Sequence, residues 1–166
     1  FSAAAGKDVL SEGDDAQYYD TALRYGLDND TVSVDAAIGY SWKDDEGTMT
    51  EQAIASVSAT HVPTGLNLTM ATGRQVTGGG QYFYTKLGWT GDLVAVGETS
   101  LSADFYTGND FGVNGSNSDA WGVQAVQQFA QYGVEAYLGY REYSYEGVAG
   151  ADYRDHDALL VGARWK

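Results

Sequence analysis

From Thr31 to Lys43 the chain alternates strictly between apolar and polar or small residues. Val32, Val34, Ala36, Ile38, Tyr40 and Trp42 fall on one side of an extended backbone, and Ser33, Asp35, Ala37, Gly39, Ser41 and Lys43 on the other. A period of two sustained this long predicts a β-strand, slightly longer than the ~9–11 residues that cross a bilayer. Tyr40 and Trp42 close the apolar stripe at one end, where an interfacial aromatic girdle belongs. Similar strands are predicted at 17–28, 51–62, 66–75, 81–90, 92–107, 118–130, 133–145 and 157–166. Between 133 and 145, Val134, Ala136, Leu138 and Tyr140 alternate with Glu135, Tyr137, Gly139 and Arg141. In the last segment Leu159, Val161, Ala163 and Trp165 alternate with Leu160, Gly162, Arg164 and Lys166. The phase of 92–107 settles only at Leu101, Ala103 and Phe105. That of 118–130 slips after Ala125, which predicts a bulge.

The connections add a second pattern. Asp28-Asn29-Asp30, Pro63-Thr64-Gly65, Thr90-Gly91-Asp92 and Gln131-Tyr132-Gly133 are short turn signals. Longer polar loops are interleaved with them near 44–50, 76–80, 108–117 and 146–156, and residues 1–16 read as a further loop. One trimmed end and one elaborated end suit an outer-membrane barrel, with its short periplasmic turns and longer extracellular loops. The expected fold is therefore all-β: one domain over residues 1–166, forming an antiparallel transmembrane β-barrel wall of about nine strands over 17–166. An odd strand count leaves the two ends on opposite sides, whereas bacterial single-chain barrels are even-stranded. The expectation is that the chain lacks N-terminal strands.

Composition narrows the alternatives. Gly occurs 22 times and Tyr 13 times against one Pro and no Cys, which suits long strands and tight turns and removes thiolate metal sites and disulfides. A net charge of −14 argues against nucleic acid, which requires a basic stripe. No apolar run approaches the ~18 residues of a membrane helix, but alternating strands dilute hydropathy in any membrane barrel. A small closed eight-stranded barrel acting as anchor or receptor would pack its interior with side chains. Ala37, Gly39 and Ser41 instead suggest a wide bore. A soluble β-sandwich binding module would need a dry core and similar loops at both ends.

Strand parity puts Arg24, Lys86, Arg141 and Arg164 opposite the apolar positions, with Lys43 and Lys166 nearer the ends. Acidic clusters lie in the longer loops: Glu12, Asp14 and Asp15; Asp44, Asp45 and Glu46; and Asp152 with Asp155 and Asp157. Asp44, Asp45 and Glu46 would suit Ca²⁺, an oxygen-seeking cation, although none of the clusters has EF-hand spacing, and a solvated anionic surface explains them equally. The two histidines, His61 and His156, form no catalytic motif in sequence, so no enzyme is expected.

Several stretches carry a family likeness. Tyr19-Asp20-Thr21-Ala22-Leu23-Arg24-Tyr25, Ala37-Ile38-Gly39-Tyr40, the run Ser56 to Leu66 and Tyr84-Thr85-Lys86-Leu87-Gly88-Trp89 resemble consecutive strands of the Gram-negative general porins. Leu160-Val161-Gly162-Ala163-Arg164-Trp165-Lys166 resembles their last strand. The likeness covers most of 17–166. It implies roughly the C-terminal half of a sixteen-stranded outer-membrane porin, a water-filled channel for small polar solutes and ions. It further implies a homotrimer in contact with outer-membrane lipid and lipopolysaccharide, no resident cofactor, and a constriction loop outside this chain. In such porins a wall of basic residues faces constriction carboxylates, the role the resemblance gives to Arg24, Lys86, Arg141 and Arg164. The chain departs from the family in ending at Lys166, one position short of the usual terminal Phe.

Overall fold

The computed structural model describes residues 1–7, 16–45, 47–148 and 153–165. Ten antiparallel strands form one meander, each hydrogen-bonded to its neighbours in sequence. They are β1 (Ser2–Lys7), β2 (Gln17–Asp28), β3 (Val32–Asp45), β4 (Thr48–His61), β5 (Leu66–Gln75), β6 (Gln81–Val94), β7 (Gly97–Asn109), β8 (Asn117–Phe129), β9 (Val134–Glu146) and β10 (His156–Trp165). β1 and β10 form no ladder with each other, so the sheet is open. Among the described residues the only helical element is a 3₁₀ turn at Ala130–Tyr132, and no helix is long and apolar enough to cross a membrane.

Ladder register carries the alternation from strand to strand. Residues paired across an antiparallel ladder share a face. Leu27, Val34, Ala59, Leu68, Leu87, Ala103, Val123, Tyr140 and Leu159 are successive partners in one row running from β2 to β10. Every Trp and Phe within a strand stands on that face: Trp42, Phe83, Trp89, Phe105, Trp121, Phe129 and Trp165. The opposite face carries Arg24, Asp35, Lys43, Lys86, Asp104, Glu135, Arg141 and Arg164. Tyrosine, with an apolar ring and a polar tip, occurs on both.

Exposure runs opposite to that of a water-soluble sheet. On β5, Leu66, Leu68 and Met70 are exposed while Asn67 and Thr69 between them are half-buried. On β7, Leu101 and Phe105 are exposed while Asp104 is buried. Among the described residues the buried apolar side chains are only Ala16 and Ala120, and no large side chain is fully buried. Among the described residues the sheet has no second layer and no dry core.

The elements differ from the sequence expectation in five places. There are ten strands rather than nine, because Ser2–Lys7, read as loop, pairs with Gln17–Ala22. Its run of small residues has no alternation to signal a strand. Most of the 44–50 loop is strand, because the ladder continues past the apolar band, pairing Lys43, Asp44 and Asp45 with Thr50, Met49 and Thr48. Thr90-Gly91-Asp92 is not a turn. β6 runs on to Val94 and the chain reverses at Ala95 and Val96, with a register irregularity between Gly91 and Val94. These turn residues are apolar and hide the reversal, while Gly97 supplies the positive φ of +145°. The bulge after Ala125 is absent, since both ladders of β8 continue without a register shift. The lost phase is Gln127 at an apolar-side position. Its amide donates to the Gly97 carbonyl at 2.9 Å and the Gln128 carbonyl at 2.8 Å, and its oxygen accepts from the Thr99 hydroxyl at 2.6 Å. Finally, the strands expected to form part of a larger barrel are here an open sheet, not closed into a barrel.

The connections at one end, 29–31, 62–65, 95–96 and 130–133, stay short. At the other, 76–80 and 110–116 are longer. Gly65 closes one short turn at φ +70°, donating to the His61 carbonyl at 2.9 Å and accepting from Thr90 N–H at 3.0 Å; a Cβ there would collide with the Thr90 carbonyl. Gly47, at φ +86°, has open space around it. Gly47→Ala should therefore cost only backbone strain, about 1–2 kcal/mol. Gly65→Ala should cost clearly more, because a neighbouring backbone must also move. Urea midpoints for refolding into detergent micelles check the order, and equal midpoints would contradict this account of the turn.

Candidate functional site

The charged groups of the polar face are arranged by cross-strand register. Thr69, Lys86, Asp104, Gly122 and Arg141 are consecutive partners in one row across β5 to β9. Gly122 has no side chain, so Arg141 reaches across β8. Its Nη1 donates to Asp104 Oδ2 at 2.7 Å. A Cβ on Gly122 would meet Asp104 Oδ1 at 3.0 Å and Arg141 Cγ at 3.3 Å, so glycine keeps the passage open. The Asp104 side chain is 2% exposed and that of Arg141 28%. A carboxylate this enclosed requires a paired cation, because an unpaired charge there would carry its full desolvation cost. Arg141 also lies over the Tyr143 ring, 5.4 Å from its centroid.

Arg164 repeats the device on β10. It faces its ladder partner Glu135, with Nη2 to Oε1 at 2.8 Å, and the Glu135 side chain is 11% exposed. Lys43 pairs with Asp45 two residues along β3, Nζ to Oδ2 at 2.8 Å. No ion pair joins Arg24 or Lys86 to a carboxylate among the described residues. The basic residues singled out in sequence thus share a face but not a state. Arg141 and Arg164 are answered inside the sheet, and Arg24 and Lys86 are the cations of this set left facing the space above it. Arg24 sits opposite Ala37 on β3. Four strand spacings separate it from Lys86, roughly 19 Å across the sheet. Lys166 lies outside the described residues.

The acidic loop clusters do not assemble. Glu12, Asp14, Asp15, Glu46 and Asp152 lie outside the described residues. Asp44 and Asp45 are adjacent strand positions and so point to opposite faces, Asp44 accepting from Gly47 N–H at 3.1 Å. Among the described residues no three His, Cys, Asp or Glu side chains gather closely enough to hold a metal ion. The histidines lie at opposite ends of the sheet. His61 Nδ1 is within 2.7 Å of Thr64 Oγ1 in a short turn, and the ring of His156 packs 6.3 Å from that of Tyr143.

The apolar face carries its own polar fittings, from the middle of β9 to the end with the longer loops. Tyr40 donates to Glu51 at 2.6 Å, Tyr140 to Asp157 at 2.8 Å, and Tyr19 to Gln17 at 2.6 Å, while Tyr19 and Trp42 stack at 5.3 Å. Rings with apolar bodies and hydrogen-bonded tips along one margin have the make-up of an interfacial belt.

Sequence reasoning missed Asp104, Glu135 and Gly122. Asp104 was reachable from the alternation of Leu101, Ala103 and Phe105, which places it in the polar phase. Its partner was not, because that contact spans two ladders and depends on a missing side chain. No protein-family model, curated protein or solved structure matches this chain.

Proposed function

We propose that this chain forms part of the wall of an outer-membrane β-barrel of the porin kind, whose water-filled interior passes small polar solutes and ions. The observation that carries the reading is the inverted amphipathicity of the sheet: one continuous apolar face exposed across its strands, backed by a face that holds the ion pairs. In water such a face has nothing to cover it; in a bilayer it is covered by lipid, and the polar face lines the aqueous side. Backbone groups left unpaired in hydrocarbon cost several kcal/mol each. The free edges of β1 and β10 are accordingly closed by further strands, as the sixteen-stranded porin reading requires. Short turns then face the periplasm, longer loops face outward, and the homotrimer and lipopolysaccharide contacts follow from the same family likeness. A single open meander without a dry core gives no support to the sandwich reading, and β1 and β10 left unpaired give none to a small closed barrel.

Reconstitution tests the proposal. The protein, purified in detergent and added to a planar bilayer, should give discrete, ohmic conductance steps in potassium chloride. Protein that remains monodisperse in detergent-free buffer and never inserts would overturn it.

A further inference from the structure

The polar face holds a patch that the charge pattern does not explain. On the polar side, Ile54 midway along β4, Tyr82 at the start of β6 and Tyr106 near the end of β7 lie side by side, joined by Phe111 from the loop after β7. None of the four carries a charge. Ile54 is 55% exposed although it stands on the polar side, as its ladder partner Gly39 does. The two tyrosine rings do not stand up from the sheet. Tyr82 lies over its ladder partner Gly73, its Cε1 2.5 Å and Cζ 3.0 Å from where a Cβ on that glycine would sit. Tyr106 folds in the same way over Gly108, two residues along β7, with its hydroxyl against the missing Cβ. The glycines make room for the rings to lie down. Two rings both against the sheet surface, with planes within 22° and centroids 6.1 Å apart, are neighbouring tiles rather than a pile. Phe111 tilts beside Tyr82 at 6.5 Å and 37°.

The hydroxyls set this patch apart from the apolar margin. Those of Tyr19, Tyr40 and Tyr140 on the apolar face donate to side-chain oxygens of the protein. Those of Tyr82 and Tyr106 have no protein hydrogen-bond partner among the described residues, so their donors and acceptors are available to what lies above the sheet. A tiled surface of ring faces edged by free hydroxyls, and itself without charge, suits a solute with a flat apolar side and a hydroxylated rim. Pyranose rings have that form: axial C–H groups give the flat side and equatorial hydroxyls the rim. A quaternary ammonium would also favour ring faces, but a carboxylate beside the rings would be expected for it. Of the carboxylates near the patch, Asp104, two residues from Tyr106, is committed to Arg141, and Asp110, beside Phe111, accepts from the Gly115 N–H at 2.6 Å.

We infer that Ile54, Tyr82, Tyr106 and Phe111 form a binding subsite for neutral sugars on the aqueous side of the wall, near its outer end. The inference rests on the pore reading, which gives this face its water.

Single channels in planar bilayers, recorded in potassium chloride with maltotriose added to one side, test it. Maltotriose should interrupt the current in a concentration-dependent, saturable way. Sorbitol, hydroxylated but without a ring face, should lower it only as viscosity does. Tyr82→Leu with Tyr106→Leu, compared among channels that open, should weaken the maltotriose block about tenfold, while Tyr82→Phe with Tyr106→Phe keeps the ring faces and should lose less. Channels that conduct salt but show no saturable maltotriose block would overturn the subsite and leave the pore standing. The subsite is equally overturned if the leucine pair is blocked as well as the parent, or if choline blocks and maltotriose does not. Failure to form any channel would remove the pore reading, and the subsite with it.

Discussion

Leu87→Arg should reduce the stability of the membrane-inserted protein by ~2–4 kcal/mol, or roughly 30- to 1000-fold in the folding equilibrium. Leu87 lies in the middle of the apolar row, 59% exposed, between Leu68 and Ala103. None of the described residues covers it, so the cost arises only if hydrocarbon does. A charged side chain in a soluble core would also be costly, so size alone does not decide. Depth does. Leu93 is also exposed, at 64%, but lies beside the short 95–96 turn. There the cost of arginine falls to ~0–1 kcal/mol, because the guanidinium reaches the interface. Ser102→Arg, on the polar face beside Leu101, should be close to neutral. Urea titrations of folding into lipid vesicles, followed by tryptophan fluorescence, give all three values. Equal costs at Leu87 and Leu93, or a cost at Ser102 matching that at Leu87, would mean that the apolar face does not cross a bilayer.

The faces behind that prediction were legible in the sequence because a period of two fixes which side each residue takes once a strand is recognised. Val32 to Trp42 needed no partner to be read. Element ends were less legible for a physical reason: strands continue where backbone pairing continues, and pairing is indifferent to polarity. Asp44 and Asp45 look like loop yet extend β3, and Ala95-Val96 look like strand yet turn. Ser2–Lys7 has too little side chain to show a pattern, and only its ladder with β2 reveals it. The site was legible in the same partial way. Parity placed Arg24, Lys86, Arg141 and Arg164 on one face, but which of them stay unpaired depends on neighbours across the sheet. Gly122 decides the matter for Arg141 by being absent as a side chain, and composition counts it as one glycine among 22.

On the pore reading, Asp104→Asn should shift selectivity toward anions. In the parent, Asp104 cancels Arg141, and the row that also holds Lys86 carries one net positive charge within the sheet. Asparagine keeps the shape and can still accept a hydrogen bond from Arg141, but the row then carries two. The reversal potential in a salt gradient should move toward the anion value, and the shift should grow as salt is lowered, since the Debye length is ~30 Å at 0.01 M against ~3 Å at 1 M. Arg141→Gln should move it the opposite way and also cost stability, on the order of 3–5 kcal/mol, because it strands a carboxylate that is 2% exposed. The double variant, Asp104→Asn with Arg141→Gln, removes both charges of a cancelled pair and should return the reversal potential close to that of the parent. That return is the informative outcome. If the two single shifts differ in size and fail to cancel when combined, Asp104 and Arg141 do not act on the ion path as a neutral pair. If Asp104→Asn leaves the low-salt reversal potential where it was, the row does not face the ion path, and the selectivity of the channel lies in residues elsewhere on the wall.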